Sequence, residues 1–361
     1  MTDQKFRVGF IGVGRPWKSE GATGFGMAYE HARGYQESGQ CELAACADIS
    51  EENGKAFAEK TGTAKVYTDY PAMLAEQNLD IVSICTWPHL HAPMTIAAAE
   101  AGVKAIHCEK PMATSWGEAR EMARVCDERN VKLTFNHQRR FLQPFQIAKR
   151  LAHDGTIGEL RRIEGQCGDM YDWGTHWLDM FFFYNRETPA EWVLGQVDSR
   201  QERKVFGVSL ETQAVCRFAF QNGVEALLET GHGTGGPTAH RLIGTEGIIE
   251  VRNDAPHVRF LSAQKPGWQT VDQPDNLHGP DMVTRAIKDI VQALATGEES
   301  MLSARNALRA TEVIFATYES SRRRARIDLP LTTEDNAFVS MLSDGLVGAS
   351  WTGAGNRGAG L

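Results

Sequence analysis

Short apolar runs alternate with longer amphipathic stretches through the first 135 residues. The runs are FRVGFI at 6–11, ELAACA at 42–47, AKVY at 64–67, LDIVSIC at 79–85, VKAIHC at 103–108 and VKLTF at 131–135. Several are apolar on both faces, as strands of a sheet covered on both sides must be. The stretches between them carry helix punctuation. Pro71 stands in a first turn, and Gly102 follows a helix predicted over 92–101, at the position that favours a left-handed residue. Ser115 with Glu118 three residues later makes a capping box for a helix over 116–129. Repeated β-α-β units of this kind predict a parallel sheet with right-handed crossovers.

The pattern changes after about residue 155. Residues 159–170 and 188–275 have the alternation of longer strands, with turn signals at Asn222-Gly223, Glu246-Gly247 and Pro266-Gly267. An open, largely antiparallel sheet follows from this. Two helices are predicted next, over 279–296 and 303–322. In the second, Ala304, Ala307, Leu308, Thr311, Ile314, Phe315 and Tyr318 fall on one face, so this helix should pack on the second sheet or return to the first domain. The end, GASWTGAGNRGAGL, is rich in glycine, and a mobile tail is expected from about 343. The predicted organisation is α/β: a doubly wound parallel sheet over 1–135, an α+β domain with a large, mostly antiparallel open sheet over 136–331, and an extension over 332–361.

Composition narrows the class. Among 361 residues, 38 are Lys or Arg and 46 are Asp or Glu, a formal charge of −8. That balance gives no global attraction to nucleic acid or to an anionic membrane surface. No run approaches ~18 apolar residues, and MTDQKFRVGFIG lacks the apolar core of an export signal, so a cytoplasmic protein is expected. The cysteines, Cys41, Cys46, Cys85, Cys108, Cys126, Cys167 and Cys216, are odd in number, with no C-x-x-C pair. Free thiols in a reducing compartment are expected. The 35 glycines exceed the usual ~7% of residues, and a group of them lies in one loop.

That loop follows the first strand. Gly12-Val13-Gly14 would let the backbone approach a pyrophosphate seated on a helix N-terminus. The usual third glycine would fall at 17, where the chain has Trp17. The loop instead continues RPWKSEGATGFGMAYEHA before the helix, a stretched form of the fingerprint. At the end of the second strand, Asp48 is suited to both ribose hydroxyls of an adenosine, which favours NAD over NADP, or else it caps the next helix.

The fourth and fifth strands end in Thr86-Trp87-Pro88-His89-Leu90-His91 and Cys108-Glu109-Lys110-Pro111. In an open α/β sheet, such strand ends line the ligand crevice. His89 and His91 have no third ligand at a sensible spacing, so no metal is expected. Lys110 stands between an apolar strand and a proline, either to place its ammonium between cofactor and substrate hydroxyl or as a surface lysine. Further on, DMYDWGTHWLDMFFFY at 169–184 suggests one helix with Asp172, His176 and Asp179 on a shared face. A carboxylate one turn from a histidine can hold its tautomer and stabilise its imidazolium, a base suited to an alcohol proton.

Taken together, GFIGVG, Asp48, TWPHLH, the Glu109-Lys110-Pro111 tripeptide, HQRRF at 137–141, DWGTH at 172–176, AHRLIGTEGIIEV and IDLPL resemble the glucose–fructose oxidoreductase / inositol dehydrogenase / MocA (Gfo/Idh/MocA) family over residues 6–331. The resemblance implies an NAD-binding Rossmann domain followed by an α/β domain whose open sheet face mediates homodimers or homotetramers. It implies an oxidoreductase that moves a hydride between a secondary alcohol of a sugar, polyol or sugar derivative and the nicotinamide. Lys110 would orient the hydroxyl, and His176, supported by Asp172, would be the general acid/base. Gly12, Gly14, Asp48, Thr86, Pro88, His91, Glu109, Lys110 and Gln138 would meet the cofactor, and Arg139, Asp172 and His176 the substrate. Arg15, Trp17 or Lys18 of the stretched loop would reach over the cofactor or into the substrate cleft. Some relatives keep the cofactor but catalyse redox-neutral glycoside cleavage or elimination through transient sugar oxidation. The same three residues serve that alternative. A non-catalytic NAD sensor is a third, disfavoured by the intact Lys/Asp/His set.

Overall fold

The computed structural model describes residues 5–22, 24–231, 233–279 and 281–348. In chain order the first elements are β1 (Phe6–Ile11), α1 (Met27–Ser38), β2 (Cys41–Ala47), α2 (Glu51–Thr61), β3 (Lys65–Tyr67), α3 (Tyr70–Glu76), β4 (Ile81–Ile84), α4 (Pro88–Glu100), β5 (Ala105–Cys108), α5 (Trp116–Glu128) and β6 (Lys132–Phe135). A short 3-10 turn, Gln138–Phe141, leads into α6 (Gln143–Leu151), β7 (Leu160–Cys167), α7 (Gly174–Tyr184), β8 (Ala190–Asp198), β9 (Arg203–Val205), β10 (Val208–Leu210), β11 (Gln213–Phe220) and β12 (Glu225–Gly231). Then come β13 (Thr238–Gly244), β14 (Gly247–Arg252), β15 (Val258–Ser262), β16 (Lys265–Thr270), α8 (Met282–Thr296), α9 (Ala304–Arg323), β17 (Ile327–Asp328) and α10 (Ala337–Ser343). No helix among the described residues is long and apolar enough to cross a membrane.

The chain divides into two compact units. The first comprises residues up to 114, 118–141 and 279–308. Its six strands are all parallel, in the order β3-β2-β1-β4-β5-β6. This is the doubly wound sheet that the apolar runs predict, and β4 and β5 are buried at every position. The order in which successive strands are added reverses between β1 and β4, where Ile11 pairs with Ile84. Ser50 and Asp69 cap α2 and α3 by accepting the Asn53 and Ala72 N–H groups. The unit also takes residues 279–308 from the stretch that sequence pattern groups with the second domain. The reason is packing. Val283, Ala286, Ile287 and Ile290 of α8 join Ala28, Ala32 and Tyr35 of α1 in one core. A Cβ on Gly34 would stand 2.7 Å from Ile287 Cβ, so a glycine permits this close approach.

The second unit comprises residues 115–117, 142–278 and those from 309 onward. Its large sheet has the order β16-β15-β14-β13-β7-β12-β11-β8-β17. β7 and β12 run parallel and the other neighbours antiparallel, so the mostly antiparallel open sheet is borne out. One face is covered. Gly165 of β7 lies under α7, where a Cβ would be 2.8 Å from Phe181 Cζ and 3.0 Å from Trp177 Cδ1. Along β8, the Gly195 and Val197 N–H groups donate to the Ser320 and Ser321 hydroxyls of α9. The other face keeps Leu194 and Val215 exposed, with Arg217 bonded to Glu225 across β11 and β12. α10 ends at Ser343, and a turn over 344–348 follows it. The glycine-rich end expected to be mobile lies largely at 349–361, outside the described residues.

The single helix expected over 169–184 is corrected. α7 starts at Gly174, and Asp172 lies in the turn before it. Asp169 causes the break. Its carboxylate accepts the Asp172 and Trp173 N–H groups at 2.6 and 3.0 Å, and its carbonyl accepts the Gly174 N–H at 2.9 Å. A short acidic side chain that captures backbone donors in this way starts a helix rather than continuing one.

Candidate functional site

The glycine turn sits at the carboxyl end of β1. Gly12 has φ +78°, and a Cβ there would run into Thr86 Cγ2, so this position brings the turn against the loop after β4. Gly14 has φ +53°, and a Cβ there would meet nothing within 4 Å, so its front is open. The Gly14 N–H donates to Asp48 Oδ2 at 2.8 Å, and the Ser50 N–H donates to Oδ1 at 2.9 Å. Asp48 is thereby fixed at the mouth of the turn, and each oxygen retains an acceptor site for a hydroxyl. α1 begins at a left-handed Gly26 with no side-chain cap, leaving its first N–H groups to favour an anion. An open glycine turn, a fixed acid and an uncapped helix start together fit a dinucleotide.

The stretched loop turns toward α2. Arg15 donates through Nε to Asn53 Oδ1 at 3.0 Å and through Nη1 to the Glu20 carbonyl at 2.9 Å, and it pairs with Glu52. Trp17 is 58% exposed, with the Phe25 ring centroid 5.6 Å away and Lys18 Nζ 4.3 Å above its ring.

The remaining first-unit candidates cluster at the ends of β4, β5 and β6. Thr86 and Lys110 are half-buried, and Pro88 is buried in the first turn of α4. His91 is fully buried between two backbone carbonyls, Pro111 O at 2.9 Å from Nδ1 and Thr86 O at 3.0 Å from Nε2. It ties the loop after β4 to the one after β5. Burial pushes its pKa down, against the pull of those carbonyls. Gln138 is buried too, and among the described residues no donor bonds its Oε1, an acceptor of the kind a carboxamide could use. Arg139 beside it is also buried.

Glu109 stands in a network that sequence reasoning missed. Its Oε1 is 3.0 Å from His31 Nε2 and accepts from Asn136 Nδ2 at 2.7 Å. His31 Nδ1 is 3.0 Å from Ser83 Oγ. Burial would raise the Glu109 pKa, but the hydrogen bond and charge of His31, then Asn136 and Lys110, bring it below the usual carboxylate value. Oε2 faces the Lys110 N–H at 3.3 Å, so the network braces the backbone that carries the lysine. The available signal was a polar residue inside a strand apolar on both faces: Ser83 in LDIVSIC and His107 in VKAIHC. Both are fully buried, and the His107 and His31 rings lie 4.8 Å apart.

In the second unit, His176 occupies the first turn of α7 and donates its N–H to the Trp173 carbonyl at 3.1 Å. Asp172, His176 and Asp179 are all buried. Trp177 and Phe181 pack around His240, whose Nδ1 is 2.8 Å from the Tyr184 hydroxyl. The stripe beside His176 is core, and it fixes the helix that presents it. Among the described residues no three His, Cys, Asp or Glu side chains are grouped to hold a metal ion.

Comparison with known proteins agrees with this architecture. Residues 6–137 match the Gfo/Idh/MocA description, an oxidoreductase family with an NAD-binding Rossmann fold. A D-apiose dehydrogenase of Paraburkholderia graminis is 25% identical over 96% of each chain. A D-glucoside 3-dehydrogenase of Escherichia coli is 32% identical over 48% of this chain and 47% of its own. The solved structure of a levoglucosan dehydrogenase with NADH and levoglucosan superposes with a TM-score of 0.77 at 21% identity, covering 91% of this chain and 100% of that one. Residues 6–137 are thus similar to the NAD-binding Rossmann domain of the Gfo/Idh/MocA oxidoreductases, and nearly the whole chain shares the fold of that solved structure.

Proposed function

We propose that this protein is an NAD-dependent dehydrogenase acting on a secondary alcohol of a sugar, polyol or sugar derivative. The observation that carries the proposal is the convergence at the switch point of the first sheet. Gly12, Gly14 and Asp48 follow β1 and β2, and Lys110 follows β5, at the same carboxyl edge of one sheet. The names of the sugar-dehydrogenase relatives support the substrate class.

NAD bound at this edge supplies the hydride acceptor. The Asp48 carboxylate receives the adenosine ribose hydroxyls, and its charge disfavours the 2′-phosphate of NADP. Gly12, Thr86, Pro88, His91, Glu109 and Gln138 shape the rest of the cofactor site. Lys110 donates to the substrate hydroxyl oxygen and stabilises negative charge as it develops. His176 takes the hydroxyl proton and returns it in the reverse direction, with Asp172 four residues earlier as its support and Arg139 on the substrate. Copies of the chain associate through the outer face of the second sheet, around Leu194 and Val215.

The test is NADH formation at 340 nm across a panel of sugars and polyols, with NAD and NADP compared. The proposal expects turnover on at least one member, faster with NAD. Glycoside cleavage with no net NADH would show the redox-neutral chemistry instead.

A further inference from the structure

The His31 imidazole joins one helix to the ends of three strands of the first sheet. His31 and Tyr35 lie one turn apart on the buried face of α1 and converge on one hydroxyl of β4. Ser83 Oγ is 3.0 Å from His31 Nδ1 and 3.4 Å from the Tyr35 hydroxyl. Cys85 Sγ, just past the end of β4, is 3.4 Å from the same Nδ1. The opposite nitrogen, Nε2, is 3.0 Å from Glu109 Oε1, just past β5. Asn136, just past β6, donates to that same oxygen at 2.7 Å. His31, Ser83 and Asn136 are fully buried. The partners fix the hydrogens. Glu109 is held below the usual carboxylate value, so it accepts, and Nε2 carries the hydrogen it receives. Burial, then the Glu109 charge, pushes the Cys85 thiol well up, so it keeps its proton. A hydroxyl and a thiol, both able to donate, thus meet Nδ1, and a neutral ring protonated on Nε2 satisfies Ser83, Cys85 and Glu109 together. With Oε1 turned to His31 and Asn136, Oε2 is left facing the Lys110 N–H at 3.3 Å. An apolar side chain at position 31 would fill this core without the cost of burying polar groups. What the imidazole adds is a fixed direction for the carboxylate beside Lys110.

We propose that His31 is a positioning residue for Lys110: with its ring set by Ser83, it orients Glu109, and Glu109 holds the lysine in place for hydride transfer. The proposal rests on the role assigned to Lys110 and extends that role inward to α1. His31 is 0% exposed, so it touches neither cofactor nor substrate and acts only through the carboxylate. The link runs from one imidazole nitrogen to one carboxylate oxygen, and from the other oxygen to the backbone of the next residue. Losing the first contact frees the carboxylate to turn, and small displacements of a catalytic group are costly.

His31→Asn and His31→Gln separate the two nitrogens. An asparagine amide reaches Ser83 and falls short of Glu109, whereas a glutamine amide places an N–H where Nε2 stood. In the full chain without substrate, hydrogen exchange read by mass spectrometry on a peptide spanning 106–113 should show several-fold lower protection in His31→Asn and wild-type protection in His31→Gln. In steady-state NADH formation, His31→Asn should lower kcat about 10-fold or more while NADH affinity stays within about threefold. His31→Gln should regain most of that kcat, which a merely structural loss would not allow. A folded His31→Asn with wild-type protection and kcat would overturn the proposal, as would equal losses in both variants. If His31→Asn does not fold, Ser83→Ala leaves the ring in its packing and removes the hydroxyl that sets it. Protection and kcat should then fall several-fold, and wild-type values of both would overturn the proposal. Failure of the dehydrogenase reading would leave the exchange result to decide the positioning, and failure of the positioning would leave NADH formation intact.

Discussion

Lys110 is oriented by its neighbours rather than by its own contacts alone. The Glu109 carboxylate faces the Lys110 N–H and is itself held by His31 and Asn136. Glu109→Gln removes the charge from a buried, hydrogen-bonded site, and we expect a loss of about 1–3 kcal/mol at pH 7 in a urea titration. The sign of the pH dependence follows from the lowered Glu109 pKa. Its stabilisation is complete above the unfolded carboxyl value near ~4.3 and is lost as pH falls through the lower folded value. The gap between wild type and Glu109→Gln should close in acid, and a gap constant down to pH 3 would contradict the account. The places of Asp48 and Lys110 just past the ends of β2 and β5 were legible because a strand end can be found from sequence. The partners of Glu109 were not, since His31 lies 78 residues away and Asn136 27. Such pairings exist only once the topology is known.

At the scale of elements, caps and close approaches decide where the chemistry stands. A capping box is expected between Ser115 and Glu118, and the Glu118 carboxylate reaches one residue further back, accepting from the Thr114 N–H at 3.1 Å and hydroxyl at 2.7 Å. The segment 169–173 has helical spacing in sequence yet folds as a turn, because Asp169 competes for the N–H groups a helix would use. Periodicity locates α7 and cannot, by itself, locate its first residue. The seat of α7 on β7 depends on Gly165. Gly165→Ala would press a methyl group into Phe181 and Trp177, and overpacking of this kind costs about 1–3 kcal/mol. Thermal unfolding should show that loss, together with a raised KM or lowered kcat as the helix carrying His176 shifts. An unchanged melting temperature would mean that α7 is not held this way.

Across the whole molecule, the class of each sheet was legible because burial on two faces and burial on one face leave different patterns. Membership of 279–308 in the first unit was not, since an amphipathic helix does not announce its partner, and α8 finds α1 through Ile287. The outer face of the second sheet carries Leu194 and Val215 on adjacent strands. Light scattering should give at least twice the chain mass, and Leu194→Glu should lower it; a monomeric wild type would remove the proposed association. The central claim is that Lys110 and His176 do the chemistry at an NAD site. Steady-state NADH formation by wild type, Lys110→Ala and His176→Ala, alongside NADH affinity by calorimetry, tests it most directly. We predict that each variant loses roughly 100-fold or more of turnover, the scale of general acid–base catalysis, while its NADH affinity stays within about twofold. Near-wild-type turnover in either variant, with cofactor affinity unchanged, would contradict the account.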